Sequence, residues 1–173
     1  MSDESRAIAD TDMLENFYRH LDGVHKAVRL LARRLIAQCQ PDDEKLAFLL
    51  LRNSFTHDRS KLEGIEFPWI HQVEDKEKLI LAIEHHQQVN PHHPEYWGGV
   101  NEMPPVAIAE MVCDWKARSE EFATDLREWI REQALKKYSI PPTGRVAKMI
   151  KKFVDLLLDP AFKDVRTLKK EES

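Results

Sequence analysis

The sequence predicts an all-α fold, a bundle of about five main helices, on three observations. Apolar residues recur three and four positions apart through long stretches, no stretch alternates with the period of two that a strand needs, and prolines fall between stretches of helical length. From Met13 to Gln40, Leu14, Phe17, Leu21, Val24, Val28, Leu31 and Leu35 form one stripe of a long amphipathic helix, which Pro41 stops. Asp42 or Asp43 can cap a second helix, carrying Leu46, Leu49, Leu50 and Phe55 and running to about His57. A loop from Arg59 to Val73 follows. A third helix over about Asp75 to Gln88 turns Leu79, Ile80, Ala82 and Ile83 inward and ends before Asn90-Pro91. After a polar, irregular stretch from Asn90 to Pro104, the Pro104-Pro105 pair suits the first turn of a fourth helix. Its stripe is Ile108, Met111, Val112, Trp115, Phe122, Leu126 and Trp129. Thr143 can cap a last helix through Val146, Met149, Ile150, Phe153, Val154 and Leu157, ended near Pro160.

The chain has 173 residues, 42% hydrophobic and 32% charged, enough to bury a core without disulfide staples and the size of one domain. That single domain is expected over 1–173, with its core at about 13–158 and loose termini. A formal charge of -4 disfavours a nucleic-acid polymer as partner. Cys39 and Cys113 lie too far apart for a C-x-x-C motif, and both are expected as reduced, partly buried thiols. The acidic start, Met1 to Asp12, lacks the pattern of a secretory signal, and the apolar run Leu46 to Leu51 is too short for a membrane span. A cytoplasmic location follows as the expectation. The last helix could serve a homodimer interface as well as a core.

Four of the eight histidines, His85, His86, His92 and His93, fall within nine residues. Neutral imidazole is the commonest metal ligand and carboxylates add the charge that holds a divalent cation, so mixed sets of His and Asp mark candidate centres. The richest set joins His25, the His57-Asp58 pair, the four-histidine cluster and Asp114. Lys61 brings a cation close to the pair and could steady a phosphate oxygen. His25 sits at one edge of the first apolar stripe and His20 at the other, and periodicity does not choose between them. Asp114, between Met111 and Trp115, needs a positive partner, for which a metal and Arg118 compete. Asn90 and Glu95 add polar groups to the histidine-rich loop, while Tyr96 and Trp97 offer flat faces for a planar substrate.

Read in order, His25, His57-Asp58 and Asp114 resemble the signature of the HD superfamily, whose members are helical and bind divalent metals. The chain is more closely similar to an uncharacterised HD-related family of bacteria and phages. That likeness rests on His25-Lys26-Ala27-Val28, on His57 to Lys61 with Glu66-Phe67, on His86 with Asn90, His92, His93, Glu95, Tyr96 and Trp97, and on Met103-Pro104 through Glu110 to Asp114. It implies an HD-domain-like bundle, favours His25 over His20, and places His86, His92 and His93 near a metal held by His25, His57, Asp58 and Asp114. The expected cofactor is a divalent metal, one ion or two, of Mn, Zn, Mg, Co, Ni or Fe. The expected activity is hydrolysis of a small phosphate ester, a nucleotide first, by metal-activated water. Asp58, Lys61, Glu66 and His86 are the expected catalytic residues, and Lys61, Asn90, Tyr96 and Trp97 the substrate contacts. Two rivals stand beside this: a di-iron oxygenase of the HD type, and a non-catalytic binding module that keeps metal for structure.

Overall fold

A computed structural model describes residues 3–69 and 75–160, with side chains described from residue 11 and omitted at 69. Among them there is no strand, and the chain is a helical bundle. Helix α1 (Asp3–Ile36) packs along α5 (Pro105–Glu121), flanked by α2 (Pro41–Asn53) and α8 (Arg145–Leu158). Helix α4 (Lys76–Val89) lies to one side against the short α3 (Glu66–Trp69) and the 3-10 turns Arg59–Leu62 and Pro94–Trp97. The chain leaves α5 through α6 (Leu126–Trp129), a π-helical turn (Ile130–Ala134) and α7 (Leu135–Lys137). No helix among the described residues is long and apolar enough to cross a membrane.

The core is where the stripes meet: Val24, Val28, Leu31 and Leu35 of α1 against Ile108, Met111 and Val112 of α5 and Ile150, Phe153 and Val154 of α8, all buried. Such burial is the main favourable term in folding. Gly23 permits the closest approach of α1 to α5, since a Cβ there would lie 3.1 Å from that of Ala117. The apolar face of α8, with Val146, Ile150, Phe153, Val154 and Leu157, packs into this core.

Several boundaries differ from expectation for local reasons. Helix α1 ends at Ile36, and Pro41, with Gln40 as the cap, begins α2 instead of merely ending α1; Asp42 and Asp43 occupy its first turn. Past Asn53 the tighter 3-10 turn Ser54–Thr56 rotates Phe55 outward to 85% exposure. Asp75 caps α4 by accepting from the Lys78 amide. Of the apolar set on α4 only Ala82 is buried, because among the described residues the helix packs mainly against α3 and the two 3-10 turns; Ile80 and Ile83 are exposed. Helix α5 stops at Glu121, with Ala123 left-handed and Asp125 capping the next segment, so Leu126 and Trp129 belong to a separate arm. The last helix starts at Arg145 after Gly144, whose φ of 102° a side chain would strain, and Thr143 does not cap it. Cys39 is exposed at the end of α1, and Cys113 is buried in α5.

Candidate metal centre

The bundle brings four separate stretches to one point: α1 supplies His20, the turn after α2 supplies His57-Asp58, α4 and its C-terminal loop supply His86, His92 and His93, and α5 supplies Asp114. Asp58 is the hub. It is 1% exposed and left-handed at φ 56°, a conformation uncommon outside glycine, asparagine and aspartate. Its Oδ2 lies 3.6 Å from His20 Nε2 and 3.7 Å from His57 Nε2, while its Oδ1 lies 3.3 Å from both His86 Nε2 and His92 Nε2. Asp114 Oδ1 closes the first half at 3.0 Å from His20 Nε2 and 4.0 Å from His57 Nε2. On the second half, His86, His92 and His93 form another set of mutually close ring nitrogens.

The outward nitrogens are arranged by a common rule. His57 Nδ1 lies 2.9 Å from Glu110, His20 Nδ1 2.6 Å from Glu121, and His86 Nδ1 2.8 Å from Glu66. A carboxylate only accepts, so each Nδ1 carries a proton, and in the neutral ring the lone pair sits on Nε2, turned toward Asp58. Carboxylate behind imidazole is the arrangement that orients metal-ligating histidines. Glu66, fully buried, also accepts from Ser60 Oγ and holds His85, while the Asn90 amide donates to Ser60 Oγ and to the His86 carbonyl.

Three atoms at this point, His20 Nε2, His57 Nε2 and Asp58 Oδ1, are buried without a hydrogen-bond partner, as are His92 Nδ1 and His93 Nδ1. Buried polar atoms are normally satisfied. Tetrahedral ligands with bonds near 2.1 Å stand about 3.4 Å apart, and the four distances from His20 and His57 to Asp58 and Asp114, 3.0 to 4.0 Å, bracket that value; His20, His57 and Asp58 form one mutually close set, with Asp114 beside it. With neutral nitrogen and charged oxygen donors present together, the residues fit a divalent cation.

The electrostatics say the same. Burial pushes the Asp58 carboxyl up, but the charges of His57 and Lys61 and the nearby imidazoles of His20 and His86 outweigh it and hold it well below the usual carboxylate range. Asp114 is likewise held low, its burial overcome by His20 and then His92 and His57. Burial alone would lower His20, yet Asp114 and Asp58 raise it to about 9. His57, lowered by burial, is raised on balance by Asp58, Glu110 and Asp114. His92 and His93 go the other way: burial, helped by neighbouring imidazoles, keeps His92 well below its ordinary value and His93 at about 3. The site thus carries a surplus of negative charge that protons on His20 and His57 answer, beside two imidazoles held neutral.

A cavity of about 450 Å³ opens onto this point, with Asp58, Lys61, His86, His92, His93 and Asp114 at its inner end. Lys61 Nζ pairs with Asp58 Oδ2. Several residues singled out from the sequence are placed differently. His25, favoured as the first ligand, turns its Nε2 to the Ser54 carbonyl at 2.9 Å, and His20 takes the position at Asp58 and Asp114. The two stand five positions apart on α1, so one stripe edge faces α5 and the other the turn after α2. Glu66 and Asn90 stand behind His86 instead of facing the cavity. Tyr96, 45% exposed, and Trp97, bound through Nε1 to the Pro91 carbonyl, do not line it either. Arg118 pairs with Glu121 and leaves Asp114 to His20. Glu110, part of the stretch that resembles the HD-related family, and Glu121 have no role assigned from the sequence, although Glu110 stands one turn before Asp114 inside an otherwise apolar run, where a carboxylate needs a reason.

The sequence profile of a family of unknown function (DUF5662) matches residues 9–159. No curated protein and no solved structure matches the chain.

Proposed function

The chain therefore belongs to a family of unknown function, and we propose that this member is a metal-dependent phosphohydrolase of the HD type acting on a nucleotide or related phosphate ester. One observation carries the reading: three imidazoles, each with Nδ1 tied to a carboxylate, turn Nε2 toward Asp58 at the inner end of a cavity that also holds a lysine. His20, His57, Asp58 and Asp114 would hold one ion, and His86, His92 and His93, across the other oxygen of Asp58, a second. A divalent cation in such a set polarises a phosphoryl group and acidifies a water molecule. Lys61, at the cavity wall, offsets charge on the phosphoryl oxygens. Where the first ion alone is bound, His86, with Glu66 behind it, is free to move a proton to or from the reacting oxygens. Glu110 and Glu121 keep His57 and His20 in place.

Elemental analysis of the purified chain, followed by a screen of nucleoside mono-, di- and triphosphates with each candidate metal, tests this. Asp58→Asn is the informative variant, because asparagine tolerates the left-handed backbone while removing the charge. We expect it to lose both metal and turnover. Metal-loaded protein that consumes none of these esters, together with an Asp58→Asn variant that keeps its metal, overturns the reading. A second reading, a di-iron oxygenase, is favoured by the two-sided cradle in which the oxygens of Asp58 face different imidazoles. Paired iron after aerobic purification, with the absorption band of an oxo-bridged pair, would establish it. Chelation that unfolds the chain, with no ester consumed, would point instead to metal kept for structure.

A further inference from the structure

Helix α2 buries Leu46, Ala47 and Leu50 against α1 and α5, while Pro41, Glu44, Phe48 and Arg52 on its opposite face are exposed. Glu44, Phe48 and Arg52 stand four apart and so form one ridge along the helix; Pro41, Lys45 and Leu49 form the next ridge beside it. The two ridges wall an open groove of about 510 Å³. Phe48, in the middle of its ridge, is 58% exposed, and Phe55, just past the helix end, is 85% exposed. A single apolar side chain at the surface is ordinary. A ring standing on a ridge beside a groove of the same helix is the shape that ridge-into-groove packing between two helices uses, and aromatic rings are enriched at the centres of such contacts.

The charges on the ridge select what fits it. Among the described residues neither Glu44 nor Arg52 makes an ion pair; Arg52 reaches only the side-chain oxygen of Asn53, at 3.3 Å. Elsewhere exposed charges are paired along their own helix, as Lys116 with Glu120 and Lys151 with Asp155. Glu44 and Arg52 stand eight residues apart, about 12 Å of helix, and cannot meet within one copy. The ridge is symmetric about Phe48, with an acid four residues before it and a base four residues after. Turned end for end, it is its own complement: a two-fold axis through Phe48 sets Glu44 beside Arg52 of the second copy, and the reverse pair on the other side, with each ring in the opposing groove. A parallel pairing would set like charges face to face.

We propose that the outer face of α2 is a self-association surface, on which a second copy of this chain packs antiparallel about a two-fold axis through Phe48. Thirteen residues make a face about 20 Å long, smaller than the roughly 800 Å² per partner of a permanent interface, so the dimer forms and dissociates with concentration. None of these residues lines the cavity at the metal centre, so the surface is independent of the function proposed for that centre.

Sedimentation equilibrium of the full chain over a concentration series tests this, with Glu44→Arg, Arg52→Glu, the double reversal and Phe48→Asp beside wild type. All three positions are exposed, and parallel melts hold the comparison to folded protein. Each single reversal replaces two symmetric attractions by repulsions and is expected to raise the dimer Kd about tenfold. The double reversal should restore the wild-type constant, because it exchanges the two charges and keeps the pairs. Phe48→Asp should leave monomer alone, and Glu63→Arg, the same charge change at an exposed position outside this face, should leave the constant unchanged. Wild type that stays monomeric throughout, a dimer that Phe48→Asp leaves intact, or a double reversal no tighter than either single one overturns the proposal.

Discussion

Glu110→Gln tests the centre through the carboxylate behind His57. Glu110 is 3% exposed, with Oε1 2.9 Å from His57 Nδ1 and 3.9 Å from His92 Nδ1, so it bonds the first imidazole and only neighbours the second. The amide keeps the shape and an acceptor oxygen but loses the charge that fixes the proton on Nδ1 and makes Nε2 basic. Removing such a partner typically costs 10- to 100-fold in metal affinity, or about 1.4 to 2.7 kcal/mol. For a chain of 173 residues each kcal/mol moves Tm by about 2 to 4 °C, so metal should raise the melting temperature of the variant by about 3 to 11 °C less than that of wild type. Titration of manganese or zinc into chelator-stripped protein, with parallel melts, measures both quantities. Glu63→Gln, an exposed member of an Arg59 pair, is the control. Wild-type affinity in Glu110→Gln, or an equal loss in Glu63→Gln, would refute the claim that this carboxylate sets the donor geometry.

Three further outcomes are expected. His20→Ala should reduce metal binding at least 100-fold, while His25→Ala keeps its metal and loses about 1 kcal/mol of stability with the bond to the Ser54 carbonyl; equal metal loss in both would refute the placement of His20. Gly23→Val should weaken metal binding, because side-chain atoms would press on Ala117 and lift α1, with His20, off α5; an unchanged titration would show that the contact yields without cost. Saturating metal at 1,000 times its Kd should stabilise the fold by about 4 kcal/mol, raising Tm by about 8 to 16 °C relative to chelator, and identical melts in the two conditions would argue against a bound ion.

The long stripes of α1, α5 and α8 are legible in the sequence because burial on one helix face repeats every three or four residues whatever lies opposite. His57-Asp58, His86, His92, His93 and Asp114 are legible as residue types whose crowding is costly without a shared purpose. What separates His20 from His25 is not in the stripe, since both sit at its edges; the close packing that Gly23 permits against Ala117, and the position of Glu121 a hundred residues later, decide it. The break after Glu121 is hidden because Phe122, Leu126 and Trp129 keep three- and four-residue spacing across it, while Asp125 quietly caps a new segment. That break puts Leu126 and Trp129 on an arm of their own. The aromatic pair Tyr96 and Trp97 shows the converse: suitable chemistry on a turn that faces elsewhere.

The carboxylates behind His20, His57 and His86 are held by contacts among helices and turns that the fold makes for itself. A centre built on such contacts would rearrange little in taking the proposed ion, and its choice among ions of similar size would fall back on intrinsic affinity and on supply. Protein produced in hosts or media that differ in their trace elements should then emerge with different occupants, and the ion found in a given preparation will report the growth medium as much as the molecule.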